Sequence, residues 1–190
     1  IHKVNLIEDL KKTPKEYGCE IDIRTNGSNL ILNHDPFSKG DHFIDYLDEY
    51  KNGTLVLNIK ESGIEDTVLK EVRLRGIKSY FLLDVEFPYL FSASKKGERN
   101  IALRFSEMEP IENFNLFKDQ LDWVWIDTIN KFPVNIRNRN FFKKHKTCLV
   151  CPSRWKRKED ISKIKIELNK LKFKLDFVMT EIQLVKNWTL

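Results

Sequence analysis

Eight short apolar runs rich in β-branched and aromatic residues punctuate the chain: Cys19–Arg24, Leu30–His34, Thr54–Lys60, Ser79–Asp84, Asn100–Arg104, Leu121–Asp127, Lys146–Cys151 and Leu175–Thr180. Most are continuous rather than alternating. That is the pattern of strands covered on both faces, as in a parallel sheet flanked by helices. Between the runs lie amphipathic stretches. Ile64–Arg75 places Ile64, Val68, Leu69 and Val72 on one helical face, and Ile161–Leu171 does the same with Ile161, Ile164, Leu168 and Leu171. Val85–Lys95, Asn113–Asp119 and Arg137–Lys144 are shorter helix candidates. Asn26–Gly27–Ser28 reads as a tight turn that folds the second run back on the first.

Strand and helix alternate without a break in composition, which defines an α/β class. The residues around His2 are expected to end one further strand. With Leu30–His34 set aside as a hairpin extension, eight parallel strands result, and eight suggests a compact closed (β/α)8 TIM barrel. No glycine-rich phosphate loop follows any run, which weakens the competing open doubly wound sheet. With no internal repeat and no linker, residues 1–190 are read as one domain.

Charge changes the picture more than composition does. The chain holds 33 Lys and Arg against 28 Asp and Glu. The segment Arg137–Lys174 alone holds 14 against 3, leaving 19 against 25 elsewhere. A basic third beside an acidic remainder points to an anionic partner: a phosphorylated small molecule, a membrane surface or nucleic acid. The hydrophobic share of 41% excludes wholesale disorder, and the chain has no apolar run long enough to span a bilayer. Three cysteines, odd and few, argue against a disulfide scaffold and lead to the expectation of a reducing, cytoplasmic setting. A secreted setting stays compatible, because the chain opens on Ile1 rather than Met.

Polar residues gather at the C-terminal ends of the predicted strands, the face that carries chemistry in a barrel. Glu20 and Asp22 are two apart on one strand, so both point the same way, as do Asn58 and Lys60. Two carboxylates projecting together repel. Either a divalent cation such as Mg²⁺ or Ca²⁺ compensates them, or ion pairs with Arg24 and Lys60 do. Arg24, Arg104 and Arg154 are the cationic candidates for contact with an anionic substrate. The run Arg154–Lys158 is basic around one aromatic, and is read either as a contact for phosphate head groups or as a solvated helix entry. Cys148 and Cys151, three apart on a strand, face opposite sides and are expected to be core cysteines rather than a metal pair. His42 and His145 sit in polar surroundings and are expected to be solvated.

One stretch carries a resemblance. Glu20-Ile-Asp22-Ile-Arg24-Thr25-Asn26-Gly27, followed by Leu30-Ile-Leu-Asn-His34-Asp35, resembles the signature of glycerophosphodiester phosphodiesterases. His2-Lys3-Val4-Asn5 looks like that family's opening element with an intervening loop deleted. Leu57-Asn58-Ile59-Lys60 is similar to its third element. The superfamily also includes phosphatidylinositol-specific phospholipase C. The likeness covers the first 60 residues, and the remainder agrees only in fold pattern.

The resemblance implies roles. His2 and His34 would be the general acid and base. Glu20, Asp22 and Asn58 would hold Mg²⁺ or Ca²⁺. Lys60 would steady the phosphoryl charge, with Lys3 at the family's arginine position. Asn58 stands where that family has an acid, removing one negative charge. The expected function is metal-dependent cleavage of a glycerophosphodiester or a related hydroxyl-bearing phosphodiester. Its partners would be a small phosphodiester or lipid head group, with peripheral anionic-membrane contact in reach and nucleic acid disfavoured. The alternative is a catalytically weak barrel that binds anionic phosphate ligands or membrane surfaces.

Overall fold

The computed structural model describes residues 1–188. The chain divides into two compact units, Ile1–Leu90 and Phe91–Leu190.

The first unit is built on a five-stranded sheet of order β3-β2-β1-β4-β5. Its strands are β1 (Cys19–Asn26), β2 (Asn29–Leu32), β3 (Asp41–His42), β4 (Leu55–Ile59) and β5 (Tyr80–Leu83). β1, β4 and β5 run parallel, whereas β2 and β3 are antiparallel additions. The two-residue loop Gly27–Ser28 joins β1 to β2, with Gly27 at φ +62°, the positive value that a tight hairpin turn requires. Gly18, just before β1, is required for a different reason. A Cβ there would lie 2.1 Å from the Thr54 carbonyl oxygen at the start of β4.

Along β1 the pleat sends Cys19, Ile21 and Ile23 to one face and Glu20 and Asp22 to the other, and all five are buried. The helices contribute the apolar faces expected of such a sheet. α1 (Ile7–Lys12) buries Leu10, α2 (Phe43–Glu49) buries Phe43, Tyr46 and Leu47, and α3 (Glu65–Leu74) buries Val68, Leu69 and Val72. The amphipathic pattern over Ile64–Arg75 thus marks α3 to within a residue at each end.

The expected strand at the N-terminus is not formed. Ile1–Val4 instead runs alongside β1 through two backbone bonds. The Glu20 amide donates to the Ile1 carbonyl at 2.8 Å, and the Val4 amide donates to the Glu20 carbonyl at 2.9 Å. Between them Lys3 adopts a left-handed backbone at φ 53°, which interrupts the extended ladder.

The second unit has a four-stranded, wholly parallel sheet of order β6-β7-β8-β9. The strands are β6 (Ala102–Phe105), β7 (Trp123–Ile126), β8 (Lys146–Val150) and β9 (Phe177–Met179). The chain enters this unit within α4 (Phe87–Lys95). α5 (Glu112–Phe117) and α6 (Asp160–Leu171) follow as crossover elements. The expected helix over Arg137–Lys144 is a 3-10 turn, Arg139–Lys144. The core is aromatic. Phe105, Phe114 and Phe142 meet pairwise at centroid distances of 5.0 to 5.6 Å, and Val124, Ile126, Leu149 and Ile164 pack into the same cluster.

Seven parallel strands are therefore present, in two sheets. Among the described residues no ladder joins these sheets into one eight-stranded barrel. All three cysteines are free and buried, Cys148 on β8 and Cys151 just after it. All five tyrosines lie in the first unit and all four tryptophans in the second. Among the described residues no helix is long and apolar enough to cross a membrane.

Candidate functional site

The first unit gathers polar side chains at the C-terminal ends of β1 and β4. The register aligns Asp22 with Asn58, so that Glu20, Asp22, Asn58 and Lys60 share one neighbourhood. Glu20 is fully engaged. Its Oε1 accepts from Asn58 Nδ2 at 2.8 Å, and its Oε2 accepts from the Lys3 backbone amide at 2.8 Å. The bulge at Lys3 turns that amide toward the carboxylate. His2 Nε2 lies 3.9 Å from the same Oε2. Burial, reinforced by Asp22, pushes the Glu20 carboxyl above its ordinary value, against the bonds from Asn58 and the Lys3 amide.

Asp22 is completely buried. Its Oδ2 accepts from Asn5 Nδ2 at 2.9 Å, and its Oδ1 lies 3.3 Å from Lys60 Nζ. Lys60 Nζ also stands 3.8 Å from Asp84 Oδ2 at the end of β5, where Asp84 holds a left-handed backbone at φ 58°. Of the ion pairs considered from sequence, Lys60 with Asp22 is present. Arg24 is used otherwise. Its Nε donates to the His34 carbonyl at 2.9 Å and its Nη1 to the Lys60 carbonyl at 3.1 Å, which ties the two catalytic candidates' backbones together. His34 is 43% exposed in its side chain, and its Nδ1 lies 2.8 Å from Asp35 Oδ1. That hydrogen bond holds the Asp35 carboxyl below its ordinary value and leaves His34 Nε2 as the ring atom turned away from Asp35.

Hard oxygen donors are the right chemistry for Mg²⁺ or Ca²⁺. Two buried acceptors in this cluster, Asp22 Oδ1 and Asn58 Oδ1, have no hydrogen-bond partner among the described residues. In the arrangement present, Lys60 Nζ stands 3.3 Å from Asp22 Oδ1 and the Asn58 amide turns its nitrogen, not its oxygen, toward Glu20, so a cation would need that amide to turn over. The set holds only two carboxylates. Among the described residues no group of three His, Cys, Asp or Glu side chains is arranged to hold a metal.

Arg104 and Arg154 belong to the second unit. Arg104 Nη1 pairs with Asp127 Oδ2 at 2.8 Å, and Asp127 also accepts from Trp155 Nε1 at 2.7 Å and from the Thr128 amide at 2.8 Å. Burial raises the Asp127 carboxyl, while Trp155 and Arg104 oppose that shift. Within the basic run, Trp155 and Arg157 are committed to structure. Arg157 binds Asp160 and the Thr128 and Ile129 carbonyls, whereas Arg154, Lys156 and Lys158 remain exposed.

The sequence reading misplaced His145, which is buried at 8% exposure rather than solvated. Its ring and that of Phe114 meet in a T-shaped contact, and aromatic packing between distant segments leaves no local signature. It also gave no role to Asn5. Asn5 could have been found as a short amide donor immediately after the His2 element.

No protein-family model matches the chain, and no curated protein matches it significantly. Among the solved structures that match is a glycerophosphoryl diester phosphodiesterase from Parabacteroides distasonis ATCC 8503. The two are 13% identical with a TM-score of 0.59, over 93% of this chain and 76% of that one. At that identity the likeness is one of fold: a mixed α/β architecture with parallel sheets.

Proposed function

We propose that the chain is a phosphodiesterase that cleaves a glycerophosphodiester or a related phosphodiester bearing a neighbouring hydroxyl. The observation that carries this reading is the meeting of Glu20, Asp22, Asn58 and Lys60 with His2 at adjacent parallel strand ends. The likeness to the glycerophosphoryl diester phosphodiesterase supports it.

In this reading His2 and His34 form the acid and base pair. One ring removes the proton from the attacking hydroxyl. As the new P–O bond forms and the bond to the leaving oxygen breaks, the other ring delivers a proton to the departing alkoxide. The bond from His34 Nδ1 to Asp35 orients that ring, so that Nε2 is the atom that exchanges the proton. Lys60 stabilises charge developing on the phosphoryl oxygens, and Arg24 keeps the His34 and Lys60 backbones in step. Lys3 is assigned to substrate contact. When bound to Glu20, Asp22 and Asn58, Mg²⁺ or Ca²⁺ supplies neutralisation of the phosphoryl oxygens.

The test is turnover of glycerophosphodiesters, lysophospholipids and inositol phospholipids with and without Mg²⁺ or Ca²⁺. His2→Ala and His34→Ala should each remove most activity with the fold intact, and the double variant should be little worse than either. Near-normal turnover in either single variant defeats the assignment. A second reading, anion binding without turnover, is favoured by the Asn58 amide bonded to Glu20 and by Lys60 seated against Asp22. It predicts ligand binding with no product for any of these substrates.

A further inference from the structure

We propose that the second unit carries a binding site for the phosphoryl group of an organic phosphate, built from residues outside the Glu20–Lys60 cluster. A cavity of about 400 Å³ opens between the 3-10 turn Arg139–Lys144, the start of β8 and the segment 172–176. Arg139, Lys143, Lys172 and Lys174 line it. Among the described residues none of these four cations has a carboxylate within ion-pairing distance. Arg139 spends Nη1 on the Leu171 carbonyl, and its Nε is buried without a partner.

The one acidic residue on the wall, Asp176, is already committed. Its Oδ2 accepts from the Thr147 amide at 2.8 Å and the Thr147 hydroxyl at 3.0 Å. The Thr147 donors are neutral, so the Asp176 carboxylate offsets one of the four cations; the three positive charges in excess repel, and an anion relieves the repulsion.

His145 supplies the second, independent sign. It lines the same cavity, is more than nine-tenths buried, and its Nδ1 has no hydrogen-bond partner among the described residues. A buried ring nitrogen without a partner carries a desolvation cost that a ligand oxygen would offset. A phosphoryl group suits these donors better than a carboxylate, because it offers up to two negative charges and three acceptor oxygens to donors on several sides.

The rest of the ligand is read from the neighbouring space. A second cavity of about 300 Å³ shares Phe173, Lys174 and Asp176 with the first, and its remaining wall includes Leu168, Leu175, Val178 and Trp188. A phosphate held by the cations would therefore place an attached apolar group against this wall. Together the two spaces are of small-molecule size. The same chemistry is found in a soluble aryl or alkyl phosphate and in a phosphate lipid head group.

Calorimetric titration of the full chain with phenyl phosphate, inorganic phosphate and phenol tests the proposal. Saturable binding is expected for phenyl phosphate, weaker binding for inorganic phosphate and none for phenol. The paired substitution Lys143→Glu and Lys174→Glu, at two exposed positions, should weaken phenyl phosphate binding tenfold or more, whereas His34→Ala should leave it unchanged. In the unsubstituted chain the His145 ring resonances should shift as phosphate is added. Sedimentation with phosphatidic-acid vesicles separates the sources. Pelleting that the paired substitution abolishes assigns the phosphate to a lipid, and soluble binding alone assigns it to a small molecule. Binding of neither phenyl phosphate nor vesicles overturns the site, as does binding that the paired substitution leaves unchanged.

Discussion

Asn5 and Asp22 hold each other twice. The Asn5 amide donates from Nδ2 to the Asp22 carboxylate at 2.9 Å, and the Asp22 backbone amide returns a bond to Asn5 Oδ1 at 2.8 Å. This ring of two bonds docks the N-terminal segment onto β1 and orients the one completely buried carboxylate of the cluster. Asn5→Ala breaks both bonds and leaves a buried amide and carboxylate oxygen short of partners, at a cost of about 1–3 kcal/mol. The urea midpoint should fall accordingly, and turnover should fall with it because Asp22 is no longer oriented.

Glu20 is a carboxylate whose burial works against its charge. Glu20→Gln removes that burden. The new amide can still accept from the Lys3 backbone and, once the Asn58 side-chain amide turns over, can donate to Asn58 Oδ1, an atom that now lacks a partner. In the presence of a chelator this variant should unfold at a higher urea concentration than the parent at neutral pH, yet lose both activity and its response to Mg²⁺ or Ca²⁺. Lower stability in chelator would show that the charged carboxylate is held favourably by its neighbours.

At Asn58 the same side-chain size can carry the missing charge. Asn58→Asp gives the site three carboxylates and should tighten divalent-cation binding tenfold or more, roughly 1.4 kcal/mol. Calorimetric titration with Mg²⁺ and Ca²⁺ reads this directly. Unchanged affinity would remove the cation from the mechanism and leave Lys60 as the counter-charge to Asp22.

Burial holds the His145 imidazole below its ordinary value of 6.5, so the folded chain keeps the ring neutral where the unfolded chain would protonate it. Between the depressed folded value and 6.5 the unfolded state binds more protons, and stability rises with pH. The contribution is complete above 6.5 and is lost as the pH falls through that window. Denaturation midpoints measured between about pH 5 and pH 8 should therefore drop on the acid side, and His145→Gln should flatten the drop. An acid-side slope that persists in the variant assigns the proton uptake to another group.

The strands were legible because each is a continuous apolar run, and a run covered on both faces looks the same whatever surrounds it. Their ends were read too long where site residues sit. His34, Lys60, Asp84 and Asp127 all belong to predicted strands, yet all lie beyond the last ladder position of β2, β4, β5 and β7. There the backbone leaves the sheet. Helices α1 and α2, at six and seven residues, are too short to show a period. The Glu20, Asp22, Asn58 and Lys60 cluster was readable from two-residue spacing alone. The Asn5 ring and the redirection of Arg24 were not, because each depends on a partner 10 to 36 residues away. His145 was misread for the same reason, since Phe114 and the turn that bury it are distant or irregular.

The partition of aromatic residues gives each half of the chain its own optical signal. Tryptophan emission arises only from the second unit, whose four tryptophans include Trp123 and Trp125, buried on β7, and the half-exposed Trp155. Tyrosine signals arise only from the first unit, where Tyr46 and Tyr50 stack with centroids 6.2 Å apart. Unfolding followed at the two wavelengths therefore compares the halves without any label. Coincident curves would mean that they melt as one cooperative body, and separated curves would give each half its own midpoint. The same partition assigns any ligand-induced change in emission to the second unit, and any change confined to the tyrosine band to the first.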